Sequence, residues 1–284
     1  MKKGLVMEGG AMRGVFTAGV IDVLMENGIE FDGAVGVSAG AAFGCNYKSK
    51  QIKRVIGYIT KYLNDDRFCS WKSWWKTGDL YGAEFGYKTL PNELSIFDRE
   101  TFKNNPMEFH VVATDVMTGE AVYHRLDTAS DEDIHWMLAS ASMPLVSNVQ
   151  EIDGYKLLDG GMADSIPVHY LEGLGYDRNV VVLTQPLDFV KEKNPLLWLM
   201  RIVLGKYPGL IKTMEKRHHV YNETTKYIRE QELAGKLFVI RPPAPLGVGG
   251  VEHDVEKIKK VYQIGRQEAE KHVAAIKAFL QAKE

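Results

Sequence analysis

Residues 31–40, FDGAVGVSAG, set a single hydroxyl, Ser38, between two glycines where an apolar run gives way to small helix-forming residues. Gly36 to Gly40 has the G-x-S-x-G spacing of a strand-to-helix nucleophile elbow. In such an elbow the serine sits on a strained turn, so its neighbours two positions away on each side need almost no side chain. Val35 and Val37 supply the strand, and Ala39, Gly40, Ala41, Ala42 and Phe43 begin the helix. The positive N-terminus of that helix then lies beside the serine oxygen. The same spacing also fits a βα turn whose serine merely caps a helix, so the catalytic reading needs a second element.

Outward from this corner, short β-rich runs alternate with amphipathic stretches: GLVM, residues 12–27, GAVGV, then residues 39–63. That order predicts βαβ units in an α/β fold, with a largely parallel central sheet flanked by helices. EFHVVATDV, EAVYHRL, the turn-bounded QEIDGYKLLDGG, NVVVLTQP and KLFVIRPP continue the strands almost to the C-terminus. Residues 253–281 put Val255, Ile258, Val261, Tyr262, Ala269, Val273, Ile276, Phe279 and Leu280 near helical spacing, which predicts a closing amphipathic helix broken at Gly265. Residues 64–105 and 191–216 fit the alternation least and are expected to form a cap, lid or insertion. With no linker or repeat, the chain reads as one domain, residues 1–284. Its motif-bearing core covers about residues 3–190, and a helical part covers about 191–284.

Composition narrows the function. The 284 residues carry a formal net charge of −2, which offers no basic field for nucleic acid. Two cysteines, Cys45 and Cys69, make no disulfide framework and suit a reducing, cytoplasmic setting. The opening MKKGLVMEGG has an apolar run too short for a cleaved leader. PLLWLM, residues 195–200, falls far short of the roughly 20 residues that span a bilayer. The expectation is a soluble or at most peripheral protein.

EGGAMRG, residues 8–14, follows the first strand and opens the first helix, so its backbone N–H groups converge on a cleft. Converging donors hold either a phosphate or the oxyanion of an acyl-transfer intermediate. Gly14 is followed by Val15 and Phe16, not the Lys-Ser/Thr of a Walker loop. A dinucleotide fingerprint needs a third-place glycine where Ala11 stands, although Glu30 and Asp32 lie at the distances of its acidic partner. A non-catalytic Rossmann-like module that binds phosphate or a dinucleotide is therefore the alternative.

A serine hydrolase also needs a base. Eight histidines occur, none in a local signature, and His169 and His253 are the candidates for a triad. YKLLDGGMADSIP, residues 155–167, offers a carboxylate instead: a strand delivers Asp159 to a Gly160-Gly161 turn.

GGAMRG, GVSAG and DGG in this order, with ASASMPLV at residues 139–146, resemble the patatin-like phospholipase family over residues 3 to about 168. The resemblance implies a Rossmann-type three-layer fold and acyl-ester hydrolysis by a Ser-Asp dyad. It assigns Ser38 as nucleophile and Asp159 as base, with Gly9, Gly10 and Ala11 forming the oxyanion hole. Arg13 would orient the loop or meet a lipid phosphate, and Gly14, Gly36, Gly40, Gly160 and Gly161 are motif glycines. It implies a lipid or acyl-ester substrate and no cofactor or metal. Ala11 departs from the pattern where many relatives have a third glycine, which keeps the N–H donor but narrows its backbone freedom.

Two stretches bear on substrate delivery. Residues 68–82 mix Trp71, Trp74 and Trp75 with Lys72 and Lys76, which suits either a membrane interface or a cap over the core. Residues 194–211 read as a lid, a docking helix or core. Arg217, His218 and His219, with the charged stretch to Glu232, read as a solvated helix face.

Overall fold

The central strand β1 (Lys2–Met7) carries apolar side chains on both faces, as a strand covered on both sides must. Leu5 and Met7 point into one core, and Val6 into the other. The computed structural model describes residues 1–282. After β1 come α1 (Gly14–Glu26), β2 (Gly33–Val37), α2 (Ala39–Lys48), α3 (Arg54–Tyr62) and α4 (Trp71–Thr77). A π-helical stretch over Phe85–Leu94 leads to α5 (Arg99–Asn104), β3 (Glu108–Asp115), β4 (Ala121–Arg125), α6 (Asp131–Ala141), β5 (Gln150–Ile152) and β6 (Tyr155–Asp159). The chain ends with α7 (Val168–Gly173), β7 (Tyr176–Val182), α8 (Leu197–Val203), α9 (Pro208–Leu233), β8 (Leu237–Ile240) and α10 (Val255–Gln281).

The sheet runs β5-β6-β3-β2-β1-β7-β8, with β4 also paired to β3. Its core from β3 to β8 is parallel, while β4, β5 and β6 join antiparallel. β5 and β6 form a tight hairpin through Asp153 and Gly154, both at positive φ, the geometry that Asp-Gly turns supply. The mostly parallel, three-layer α/β fold expected from the sequence is the one observed.

Alternation fixes the layers. Ala34, Phe109, Val111, Val180 and Val182 face α1 and α2, whereas Val35, Val37, Val112, Val181 and Leu183 share a second core with Val168, Leu171, Tyr221 and Ile228 of α7 and α9. Helix α1 is apolar nearly all round and buried from Gly14 to Leu24, because α10 covers its outer side. Each large side chain there, such as Phe16 or Leu24, contributes roughly 1.5–3 kcal/mol by leaving water.

Two helix expectations need correction. Residues 39–63 form two helices, because the connecting turn puts Lys50 and Lys53 at positive φ. Helix α10 is continuous through Gly265. A Cβ there would lie 2.1 Å from the Phe16 carbonyl oxygen, and one on Gly19 would lie 2.2 Å from that of Tyr262, so these glycines let two helix backbones touch.

Candidate active site

Strand β3 brings the site together. Val37, the last residue of β2, is registered against Val112, and Asp159, the last residue of β6, against the next position, Ala113. A parallel and an antiparallel neighbour thus end at adjacent points of one strand, and Ser38 and Asp159 emerge side by side. Ser38 adopts φ 55 and ψ −120, a conformation that L side chains rarely take. The turn is held by close backbone approach: a Cβ on Gly36 would sit 2.3 Å from the Gly40 carbonyl oxygen, and one on Gly40 2.4 Å from that of Met7. Ser38 also begins α2, whose positive end faces the hydroxyl.

The segment ahead of Asp159 serves both partners. The Ser38 N–H donates to Ser140 Oγ at 3.0 Å, and the Asp159 N–H donates to the Ser142 carbonyl at 2.7 Å. Asp159 Oδ1 accepts from the Gly161 N–H at 2.7 Å. Burial pushes the Asp159 carboxyl above its ordinary range; the Ser38 hydroxyl, the Gly161 N–H and the Arg217 charge oppose the rise.

The glycine-rich loop crosses in front of this pair. Among the described residues, the N–H groups of Gly10 and Ala11 donate to no protein acceptor, whereas Gly9 N–H contacts the Ser165 carbonyl at 3.5 Å. Ala11 stands at φ 47, so the residue that departs from the motif holds a conformation in which glycine would be unstrained. The Arg13 Nε is buried without a partner.

Beside Ser38 opens an apolar cavity of about 140 Å³, lined among others by Ala42, Tyr58, Phe68, Tyr87 and Met137. Its roof comes from residues 68–97, within the 64–105 stretch expected to form a cap, lid or insertion. The roof is tied to the loop after α6 by Leu80 N–H to the Val146 carbonyl (2.8 Å) and Asn148 N–H to Asp79 Oδ1 (2.9 Å). The roof buries Phe68, Leu80 and Phe85, while Trp71 and Trp75 point outward, so those tryptophans do not fill a core. In α8, Leu197 and Met200 pack inward and Trp198 and Ile202 outward.

None of the eight histidines lines this cavity. His169 is exposed on α7 beside Glu172, and His253 lies in the exposed loop before α10, so neither candidate triad member reaches Ser38. Asp32 caps the opposite end of the sheet, accepting from the Lys3 N–H at 2.7 Å, which removes it and neighbouring Glu30 from any ligand on the glycine loop. Among the described residues, no group of three or more His, Cys, Asp or Glu is placed to hold a metal, and no helix is long and apolar enough to cross a membrane.

The solvated-face reading of Arg217 is also corrected. Leu210, Met214, Tyr221 and Ile228 form the buried seam of α9, and Arg217 falls in that seam, where its Nε donates to the Gly161 carbonyl. One turn further on, the Tyr221 hydroxyl donates to Glu8 Oε1 at 2.7 Å, and the Thr184 N–H donates to Glu8 Oε2. Burial raises the Glu8 carboxyl against these donors. Lys191, over the Tyr221 ring, is pushed down to about 8 by burial and the nearby Arg217 charge. Glu8, Ser140, Arg217 and Tyr221 had no role in the sequence reading. A signal existed for Arg217, since residues 210, 214, 217, 221 and 228 repeat at helical spacing.

A serine at positive φ on a strand-to-helix turn, a buried carboxylate beside it and an apolar cavity thus meet where β2 and β6 end. The chain belongs to the patatin-like phospholipase family, which matches residues 5–172. A second family, described as a domain of unknown function, matches residues 207–281. An uncharacterized Escherichia coli protein, YjjU, is 25% identical over 92% of this chain and 74% of its own length. The Aspergillus niger lysophospholipase nte1 is also 25% identical over 92% of this chain, which spans only 17% of that protein. Among solved structures, VipD from Legionella pneumophila aligns with TM-score 0.49 and 13% identity over 96% of this chain and 67% of its own.

Proposed function

We propose that the chain hydrolyses acyl esters of lipids with Ser38 as nucleophile and Asp159 as general base. The observation that carries this reading is the β3 register, which ends β2 and β6 at neighbouring residues beside an apolar cavity. Ser38 Oγ attacks the ester carbonyl as its proton passes to Asp159. The carbonyl oxygen takes the negative charge and meets the N–H groups of Gly10 and Ala11, with Gly9 shaping the loop. Each such donor contributes roughly 3 kcal/mol to the transition state. The C–O bond breaks, the leaving alkoxide takes the proton from Asp159, and the acyl group remains on Ser38. Water then gives its proton to the same carboxylate and attacks the acyl-serine; the bond to Ser38 Oγ breaks, that oxygen takes the proton back from Asp159, and the acid leaves.

A buried carboxylate suits this work, because desolvation raises its proton affinity toward that needed of a base. The acyl chain enters the cavity between Ala42 and Tyr87. Peripheral contact with a lipid surface is part of the reading: Trp75 is 85% exposed, Trp198 61% and Ile202 72%. Leu145 touches both neighbourhoods: its carbonyl accepts from Trp74 Nε1 of α4, and its side chain packs against the cluster that includes Leu197 and Met200 of α8. Lys72, Lys76 and Arg201 on these helices suit anionic headgroups. A fluorophosphonate probe tests the nucleophile: labelling confined to Ser38 supports the reading, and labelling that survives Ser38→Ala removes it.

A further inference from the structure

The long helix α9 lies outside the patatin-like match, in the stretch matched by the family of unknown function, yet it reaches the candidate site twice. Its Arg217 guanidinium donates through Nε to the carbonyl of Gly161, the residue whose N–H holds Asp159 Oδ1. Ser165 Oγ donates to the same carbonyl at 2.8 Å. Its Tyr221 hydroxyl holds Glu8, the residue directly before the glycine loop. Among the described residues Arg217 forms no ion pair within contact distance, so its charge is not consumed by a surface partner. A guanidinium kept in a buried seam at this point needs a reason, since desolvating it is costly.

We propose that Arg217 is a positioning residue for the dyad: it locks the Gly160-Gly161 turn that aims the Asp159 carboxylate at Ser38 and sets its positive charge on the same side of that turn as the carboxylate. This rests on the Ser-Asp reading above and extends the site into α9. Around Arg217 stand Asp159, Tyr221, Glu8, Arg13 and Lys191; around Asp159 stand Ser38, Arg217 and Tyr87. Glu8 is engaged by Thr184 and Tyr221, which leaves Asp159 as the carboxylate that shares its turn with Arg217.

The test follows kcat/KM against pH for p-nitrophenyl butyrate, a soluble ester, with Ser38→Ala as background. Arg217→Gln removes the charge and keeps an N–H donor, and Arg217→Lys keeps the charge. For Arg217→Gln the acid limb moves up by on the order of one pH unit, a loss of about tenfold below the limb and far less above it. The limb of Arg217→Lys stays with the wild type. An unshifted limb in Arg217→Gln overturns the proposal, even if activity falls uniformly, because that is the mark of a merely structural role. Should Arg217→Gln not fold, Arg217→Met, which keeps the apolar stem in the seam but loses the donor along with the charge, is held to the same shift of the limb. If wild type turns over no faster than Ser38→Ala, the hydrolase reading fails. A stability cycle of Arg217→Gln with Asp159→Asn then still decides the coupling, with favourable coupling at pH 8 that fades at low pH supporting it and no coupling at either pH refuting it.

Discussion

The backbone of Ser38 can be tested apart from its chemistry by comparing Ser38→Gly with Ser38→Ala. Both remove the hydroxyl, and both keep the N–H that donates to Ser140 Oγ, so those losses cancel. What differs is the strain of a Cβ-bearing residue at φ 55 and ψ −120, which costs about 1–3 kcal/mol. Glycine removes that strain but loses about 0.4–1 kcal/mol through its freer unfolded chain and about 0.8 kcal/mol for one buried methyl. Taking mid-range values, Ser38→Gly should be more stable than Ser38→Ala by about 0.5 kcal/mol. In a chain of this size that raises the melting temperature by roughly 1–2 °C. Parallel thermal and urea melts measure the difference, and neither variant should turn over esters. Melting of Ser38→Gly at or below Ser38→Ala would refute the idea that the serine is held in a strained elbow.

The other side of the elbow gives the opposite sign. Gly40→Ala drives a methyl into the Met7 and Glu8 carbonyls, and a loss of about 3 kcal/mol or more is expected in urea unfolding. The raised Asp159 carboxyl gives a pH signature. Between the ordinary carboxylate range and its raised native value, the folded chain holds more protons than the unfolded one, so its contribution to stability falls as pH rises through that window. Asp159→Asn should therefore be more stable than wild type at pH 8, with the advantage vanishing as pH falls to the ordinary carboxylate range. Replacing Trp75 and Trp198 by alanine should weaken sedimentation with anionic phospholipid vesicles at least about tenfold, since two large apolar side chains leave the lipid. Turnover of a soluble short-chain ester should be unchanged by that pair.

Much of the fold was legible because its signals are local. Leu5, Val6 and Met7 announce a strand buried on both faces, and the spacing of Gly36, Ser38 and Gly40 demands a turn that only a narrow set of side chains allows. QEIDGYKLLDGG reads as a turn-bounded strand run, and the Asp153-Gly154 turn in it joins β5 to β6. Less legible were features that depend on what packs against a residue. Gly265 reads as a helix breaker until α1 is seen to cross there. Arg217 reads as solvent-facing by charge, although its position between Met214 and Tyr221 follows the buried stripe. Charge overrides periodicity in that reading, while in the structure the Gly161 carbonyl supplies a partner for the half-buried guanidinium. Nothing in one sequence announces that Ser140, far from Ser38 in the chain, receives the elbow's N–H.

Turnover of p-nitrophenyl esters of increasing acyl length by wild type, Ser38→Ala and Asp159→Asn tests the central claim most directly. The account predicts turnover by wild type that depends on acyl length, with both variants reduced to background while folded. Equal rates for the three proteins, or wild-type turnover retained without Ser38 or without the Asp159 carboxylate, would contradict it.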